Sequence, residues 1–315
     1  MIVTFTANPS LDRTALLAGP LEPNGVNHVV SSSVFPGGRG FHLSAALARA
    51  GHPTLAVMPA MVGGPLEERL RGSGVPHQIV PIARPVRTNV TVSHEGSATI
   101  VREPGTPLEP ETITSMVSAM MANSPGASWV VLCGSLPPGA PHDLYSRLCQ
   151  IAHGVGARVA VQSTGQTLET AVAAEGECRP DLLALNARQL TQLTTEPMTG
   201  SDEAQLATAA RGVRGLIEAG IPRVLVTLGR VGGIVGGPEG SWHARSEAIP
   251  VVTATGRGAT ALAGYLMARQ DGATAAEALS RAMSYGTART MLEGSRTPSP
   301  EDADAVYVHT TELPG

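Results

Sequence analysis

A chain of 315 residues with 42% hydrophobic and 15% charged residues has the length and apolar content for one large soluble domain, which excludes a disordered or fibrous protein. A net charge of −4 with no basic run gives no electrostatic footprint for nucleic acid or an anionic membrane surface, and no apolar run reaches membrane-spanning length. Cys133, Cys149 and Cys178 are an odd, scattered set that reads as buried thiols of a reducing compartment, and the start at Met1 lacks the basic region of a signal peptide, so the expected location is cytoplasmic.

Along the chain, short apolar, β-branched runs predict buried strands over 2–6, 54–58, 129–132, 158–161, 182–185 and 223–227. Between them, helical spacing predicts helices over 39–50, 64–72, 110–121, 141–153, 166–174 and 201–218, several closed by glycines such as Gly51, Gly74, Gly154 and Gly220. This β-α alternation implies a mostly parallel sheet with helices on both faces, whose ligands bind beyond the carboxyl ends of the strands. Two segments break the rhythm. Residues 14–34 and 87–102 alternate as antiparallel hairpin strands do, with Glu95-Gly96 as a turn, and a small sheet of this kind beside a ligand face makes a natural lid. No repeat or linker divides the chain, so 1–315 reads as a single domain, with a polar and marginal tail over 300–315.

Polar motifs sit where those strands end. Asn8-Pro9-Ser10-Leu11-Asp12 follows the first strand, Pro36-Gly37-Gly38-Arg39-Gly40-Phe41-His42 precedes a helix, and Gly134-Ser135-Leu136-Pro137-Pro138-Gly139 follows a central strand. Arg87-Thr88-Asn89 begins a lid strand, Asn186-Ala187-Arg188-Gln189 follows another body strand, and Thr227-Leu228-Gly229 ends the last clear one. The segment Thr255-Gly256-Arg257-Gly258-Ala259 opens onto a helix in which Ala259, Leu262, Ala263, Leu266 and Met267 recur at helical spacing. Backbone N–H groups at such a helix start favour an anion. Each motif alone has an ordinary reading: Asp12 and Ser135 as turn residues, Arg87 as a solvated charge, the glycines as punctuation. The nine histidines form no ligand pair on one helix and are read as no metal site. All 22 basic residues are arginine, a skew that weakens any inference from Arg standing where Lys is usual.

In order and spacing, from about residue 2 to about 295, these motifs resemble those of the PfkB (ribokinase-like) carbohydrate kinases, in the branch that includes 1-phosphofructokinase and tagatose-6-phosphate kinase. The resemblance implies a ribokinase-like three-layer α/β sandwich with a mostly parallel central sheet and a small β-sheet lid. It implies ATP and Mg²⁺ as cofactors, a phosphosugar as substrate, and a homodimer formed through the lid. By the same resemblance Asp12 binds sugar hydroxyls, Gly37 and Gly38 form the turn under the sugar, Arg39 replaces a usual Lys and His42 a usual Asn, and Arg87 and Ser135 hold a phosphate. Asn186, Thr227 and Gly229 fall on the nucleotide side, and Gly256, Arg257 and Gly258 form the anion hole.

The departures share that side of the reaction. The family's catalytic Asp is Ala259, the Glu that organises magnesium through water is Gln189, an acidic strand residue is Gln162, and the Ala of the glycine turn is Arg257. Arg257 either adds a fixed positive charge above the turn or occupies nucleotide space. The expected activity is therefore phosphosugar binding with ATP-dependent phosphotransfer lost or very weak. Two alternatives stand beside it: an active kinase using a different base, and a regulatory or interaction partner of an active relative.

Overall fold

Alternating β-branched and apolar residues decide the centre of the molecule. The computed structural model describes residues 1–94, 97–247, 252 and 255–314. The strands are Ile2–Thr6 (β1), Ser10–Leu17 (β2), Val29–Gly37 (β3), Thr54–Ala60 (β4), His77–Pro81 (β5), Arg87–His94 (β6), Ser97–Arg102 (β7), Trp129–Cys133 (β8), Arg158–Gln162 (β9), Leu182–Asn186 (β10), Val224–Thr227 (β11), Gly233–Gly237 (β12), Gly240–Ser246 (β13) and Val308–Glu312 (β14). The helices are Arg39–Arg49 (α1), Pro65–Arg71 (α2), Pro110–Asn123 (α3), Leu144–Gly154 (α4), Gly165–Ala173 (α5), Ala187–Thr194 (α6), Asp202–Glu218 (α7), Arg257–Gln270 (α8), Ala275–Met291 (α9) and Pro300–Asp304 (α10).

Ten strands form one sheet in the order β14-β13-β12-β11-β10-β9-β8-β1-β4-β5, parallel from β11 to β5 and antiparallel at the β12–β14 edge. Every residue of β1 and β8 is buried, as strands covered on both faces must be. Val3, Phe5, Val130 and Leu132 pack on one face with residues of α3, α4, α5 and α7, while Ile2, Trp129 and Val131 pack on the other with α1, α8 and α9. This is the three-layer α/β sandwich that the sequence implied. On the second face α8 and α9 pack closely because Gly264 has no Cβ; one added there would lie 2.6 Å from the backbone oxygen of Arg281.

The second sheet has the order β3-β2-β6-β7. Its two hairpins are antiparallel, as expected, but they join through a parallel β2–β6 pairing, which the alternating pattern does not encode. It also reaches further than 14–34: β2 begins at Ser10 and β3 runs to Gly37, so Asp12 is a strand residue and not a turn former. The expected turn at Glu95-Gly96 lies outside the described residues.

Other expectations need correction. The tail is not marginal, because Val308–Glu312 adds an antiparallel strand beside β13 and Ser299 caps the short α10 with a reciprocal capping box. Helices α6 and α9 and strands β5, β12, β13 and β14 were not foreseen. Glycine-rich β12 lacks a strand composition, and α9 is buried around too much of its circumference to show one apolar stripe. The predicted helix over 141–153 starts later, at Leu144. Of the cysteines, Cys133 and Cys149 are buried, but Cys178 is partly exposed. No helix among the described residues is long and apolar enough to cross a membrane.

Candidate active site

The chain runs from β1 to β4 and β5 on one side of the sheet and returns through β8 to the other, so the loops leaving the carboxyl ends of β1 and β8 diverge. Such a divergence leaves a crevice where ligands bind in open α/β sheets. Register places Thr6, Cys133 and Gln162 side by side at the ends of β1, β8 and β9. Asn8, Ser135 and Ser163 follow just beyond, and β2 starts from the same rim.

Asp12 is the centre of one cluster. Ser10 Oγ donates to its Oδ1 at 2.8 Å and Asn89 Nδ2 at 2.9 Å, and His42 Nε2 lies 3.3 Å from Oδ2. The parallel register that pairs Asp12 with Asn89 brings these groups together. A Cβ at Gly37 would overlap the Asp12 carboxylate, so glycine is required there for packing. Burial opposes ionisation of Asp12, yet the bonds and charge from His42 and the bonds from Asn89 and Ser10 outweigh it, and the pKa falls from 3.8 to about 2. Because the folded-state pKa is depressed, the ionised form stabilises the fold above pH 3.8, and that contribution is lost as pH falls through about 2. It is worth about 2 kcal/mol. We therefore expect the stability gap between the native protein and Asp12→Asn in urea unfolding to be about 2 kcal/mol larger at pH 7 than at pH 2; an equal gap at both would refute the charged role.

Next to this cluster, Arg87 Nη2 donates to the Asn8 carbonyl at 3.0 Å and Nη1 to that of Glu103 at 3.2 Å. Asn8 Nδ2 bonds Pro104 O at 3.0 Å and reaches Ser135 Oγ at 3.4 Å, so one amide ties the loops after β1, β7 and β8. Burial lowers the Arg87 pKa; Asp12 opposes that, while the charges of Arg102 and Arg39 add to it. Arg39 is likewise lowered, chiefly by burial. Its Nη1 donates to the carbonyls of Gln162 at 3.3 Å and Ser163 at 3.5 Å, so its guanidinium spans from the start of α1 to the end of β9. Gly38, the N-cap of α1, takes φ 112°.

On the other side, the structure closes α6 with a capping box. Asn186 Oδ1 accepts the Gln189 N–H at 2.9 Å, Gln189 Oε1 accepts the Asn186 N–H at 2.8 Å, and Gln189 Nε2 donates to the Ser163 carbonyl. Gln189 is only 5% exposed. Asn186 pairs in register with Thr227, whose Oγ1 donates to Leu185 O at 3.3 Å, and Gly229 opens the turn after β11 with φ 63°.

Helix α8 begins at Gly256 in the left-handed region, φ 80°. The Thr260 N–H already reaches back to Gly256 O, and the N–H groups of Arg257, Gly258 and Ala259, which precede it, have no acceptor within the helix. Gln162 Nε2 donates to Gly258 O at 3.0 Å. Arg289, from α9 and 2% exposed, lies under the turn: a Cβ on Gly256 would sit 2.9 Å from its Nε. Its Nη1 and Nη2 donate to the carbonyls of Leu292 and Gly294, and burial pushes its pKa down to about 10, against the charge of Asp12. Among the described residues no hydrogen bond or ion pair joins the 256–259 turn to a carboxylate.

The arrangement can hold anions and hydroxyls. At Gln189, the position that the resemblance assigns to organising magnesium, a neutral amide has protein partners on both its oxygen and its nitrogen and offers no charge to a metal. Asn8, Asn89, Arg102 and Arg289 belong to the constellation although the sequence did not single them out as site residues. Asn8 and Asn89 stood inside quoted motifs, whereas nothing local marked Arg102 or Arg289.

The match to the pfkB family carbohydrate kinases spans residues 6–302. The chain is 27% identical over 307 residues to 1-phosphofructokinase of Rhodobacter capsulatus, covering 95% of this chain and 93% of that protein. In structure it is similar to phosphofructokinase-2 from Escherichia coli, with a TM-score of 0.87, 25% identity and coverage of 96% and 97% of the two chains. A possible 1-phosphofructokinase from Thermotoga maritima shares the fold at a TM-score of 0.81 and 21% identity, covering 99% of this chain and 100% of the other. The switch-point crevice, the order of its glycine turns and a family match over nearly the whole chain lead to one conclusion: this chain belongs to the pfkB family of carbohydrate kinases.

Proposed function

We propose that this protein binds a phosphosugar in the crevice and transfers phosphate from ATP very slowly or not at all. The observation that carries the reading is the first turn of α8, where Ala259 stands at the position of the family's base and no carboxylate among the described residues is bonded to the turn. Gln189 supports it, since its amide is used in capping α6 and holding Ser163. The sugar hydroxyls face Asp12 over the Gly37-Gly38 turn, with Arg39 and His42 beside it and the phosphate at Arg87 and Ser135. In this reading the small sheet is a lid inserted in a single domain, Asn186, Thr227 and Gly229 lie where nucleotide would sit, and the protein works in the cytoplasm.

A general base is worth roughly 10²–10⁴-fold. Steady-state assays with ATP, Mg²⁺ and a panel of hexose phosphates are expected to give turnover at least about a hundredfold below an active relative. Turnover matching that relative would overturn the reading in favour of an active kinase with another base.

The small sheet also supports self-association. Leu16, Val29, Val30 and Val101 are exposed on it, an unusual apolar display for a solvated sheet. We read it as the interface of a homodimer, and sedimentation equilibrium showing only monomer at micromolar concentration would refute that.

A further inference from the structure

At the amino ends of the parallel strands, on the side of the sheet away from the crevice, a second group of donors gathers under α8. The β12–β13 hairpin turns there between Gly237 and Gly240, Arg223 stands just before β11, and Tyr265 of α8 lies over them, so that these residues with Glu239 and Ala275 line a cavity. Tyr265 is 1% exposed, and its hydroxyl is buried without a hydrogen-bond partner. A buried hydroxyl in that state calls for an acceptor. The cavity has room for about one water-sized group, so a ligand can insert a single oxygen and must keep the rest of itself at the mouth.

The mouth is rich in guanidinium groups. Glu239 is already matched, since Arg269 donates to its two oxygens at 2.8 and 2.6 Å and the Ala275 N–H to one of them at 3.2 Å. Arg223 reaches the same carboxylate only at 3.6 Å, and its side chain makes no hydrogen bond among the described residues. Two strands along the rim, Arg158 begins β9 and stacks on Trp129, its Cζ 4.4 Å from the ring centroid and on the α8 face, again in no ion pair among the described residues. Asp181 lies between them in strand order but turns to the other face, where it holds His153 of α4 at 2.9 Å. Glu312 stands beyond Gly240 and pairs with neither arginine among the described residues. Two guanidiniums are thus left without a close carboxylate, which suits a dianion better than a single carboxylate group.

We propose that this rim cavity binds a phosphate-type oxyanion, with one oxygen entering to accept from the Tyr265 hydroxyl and the others at the mouth accepting from Arg223, while Arg158 adds charge. The site stands apart from the crevice and does not depend on the phosphosugar reading. The two are joined only through α8, whose first turn lies at the crevice and whose later turns carry Tyr265 and Arg269.

Intrinsic fluorescence tests it, because the chain has two tryptophans and both, Trp129 and Trp242, lie at this end of the sheet. Titration of the whole protein with inorganic phosphate at constant ionic strength is expected to give a saturable change. Arg223→Gln is expected to weaken the response about tenfold or more, as loss of a charge-assisted bond does, and Tyr265→Phe about threefold. Tyr265→Phe keeps the ring in place, so the test stands even if Arg223→Gln fails to fold. Arg87→Ala, in the crevice, is expected to leave the response unchanged. No saturable change, or the same change with chloride, would overturn the inference and leave a water as the hydroxyl's partner. A response lost in Arg87→Ala but intact in both rim variants would place the anion in the crevice and overturn it as well. A parallel titration with glycerol 3-phosphate identifies the source: binding at least as tight as that of inorganic phosphate upholds the site as one for the phosphoryl end of a small molecule, and much weaker binding upholds it as one for free phosphate.

Discussion

Restoring the lost groups is expected to restore transfer. Ala259→Asp with Arg257→Ala should raise ATP-dependent phosphorylation of a bound phosphosugar by roughly 10²–10⁴-fold over the unmodified protein, the usual worth of a placed general base. Ala259 is the third residue of α8, where a carboxylate also suits the positive end of the helix dipole. Adding Gln189→Glu should raise the rate further. A Glu keeps one half of the capping box, because one carboxylate oxygen still accepts the Asn186 N–H. The other oxygen cannot stay against the Ser163 carbonyl, which now accepts from Gln189 Nε2, and like partial charges would turn it towards the crevice. The gains should be non-additive, since base and metal serve one transition state. Single-turnover assays with radiolabelled ATP measure this. A triple variant that folds and binds phosphosugar yet transfers nothing would place the defect elsewhere, in a nucleotide space closed by other side chains.

The second large effect concerns the phosphate end. Arg87→Ala is expected to weaken phosphosugar binding by about 1.5–3 kcal/mol, the range for a charge-assisted and bidentate contact. Arg87 also makes the bonds to the Asn8 and Glu103 carbonyls, so a loss of affinity could come from a displaced loop. Arg87→Lys separates the two causes. A lysine keeps the charge but not the planar fork, and affinity should fall between that of the native protein and Arg87→Ala. Calorimetry with fructose 6-phosphate, beside thermal melts of all three proteins, gives the comparison. Unchanged affinity in Arg87→Ala would reduce Arg87 to a tie between loops.

Much of this was legible in the chain. The buried strands were marked by their composition and length, and β1, β4, β8, β9, β10 and β11 fall within a few residues of the predicted runs. The motifs at their carboxyl ends were visible for the same reason: glycine, proline and polar residues interrupt apolar runs only where the chain turns. The parallel joining of β2 to β6 was not legible, because alternation tells which residues share a face and says nothing of the neighbour on either side. The edge strand β14 was missed because a half-solvated edge has little apolar signal to show.

What the sequence determined by itself is chemical inventory and order. Ala259 and Gln189 carry no charge in any fold, and Asp12, Arg39, Arg87 and Arg257 each lie in a strand or at a helix start that local patterning marks. Only the tertiary structure decided which of these groups meet. It set Asn89 and His42 on Asp12, spent the Gln189 amide on Asn186 and Ser163, and brought Arg289 beneath Gly256 through the close contact of α8 and α9. The physical reason is range. Propensity, capping and periodicity act over a few residues, whereas a buried charge gains its partners from segments tens of residues away, and their positions follow only when the whole core has packed.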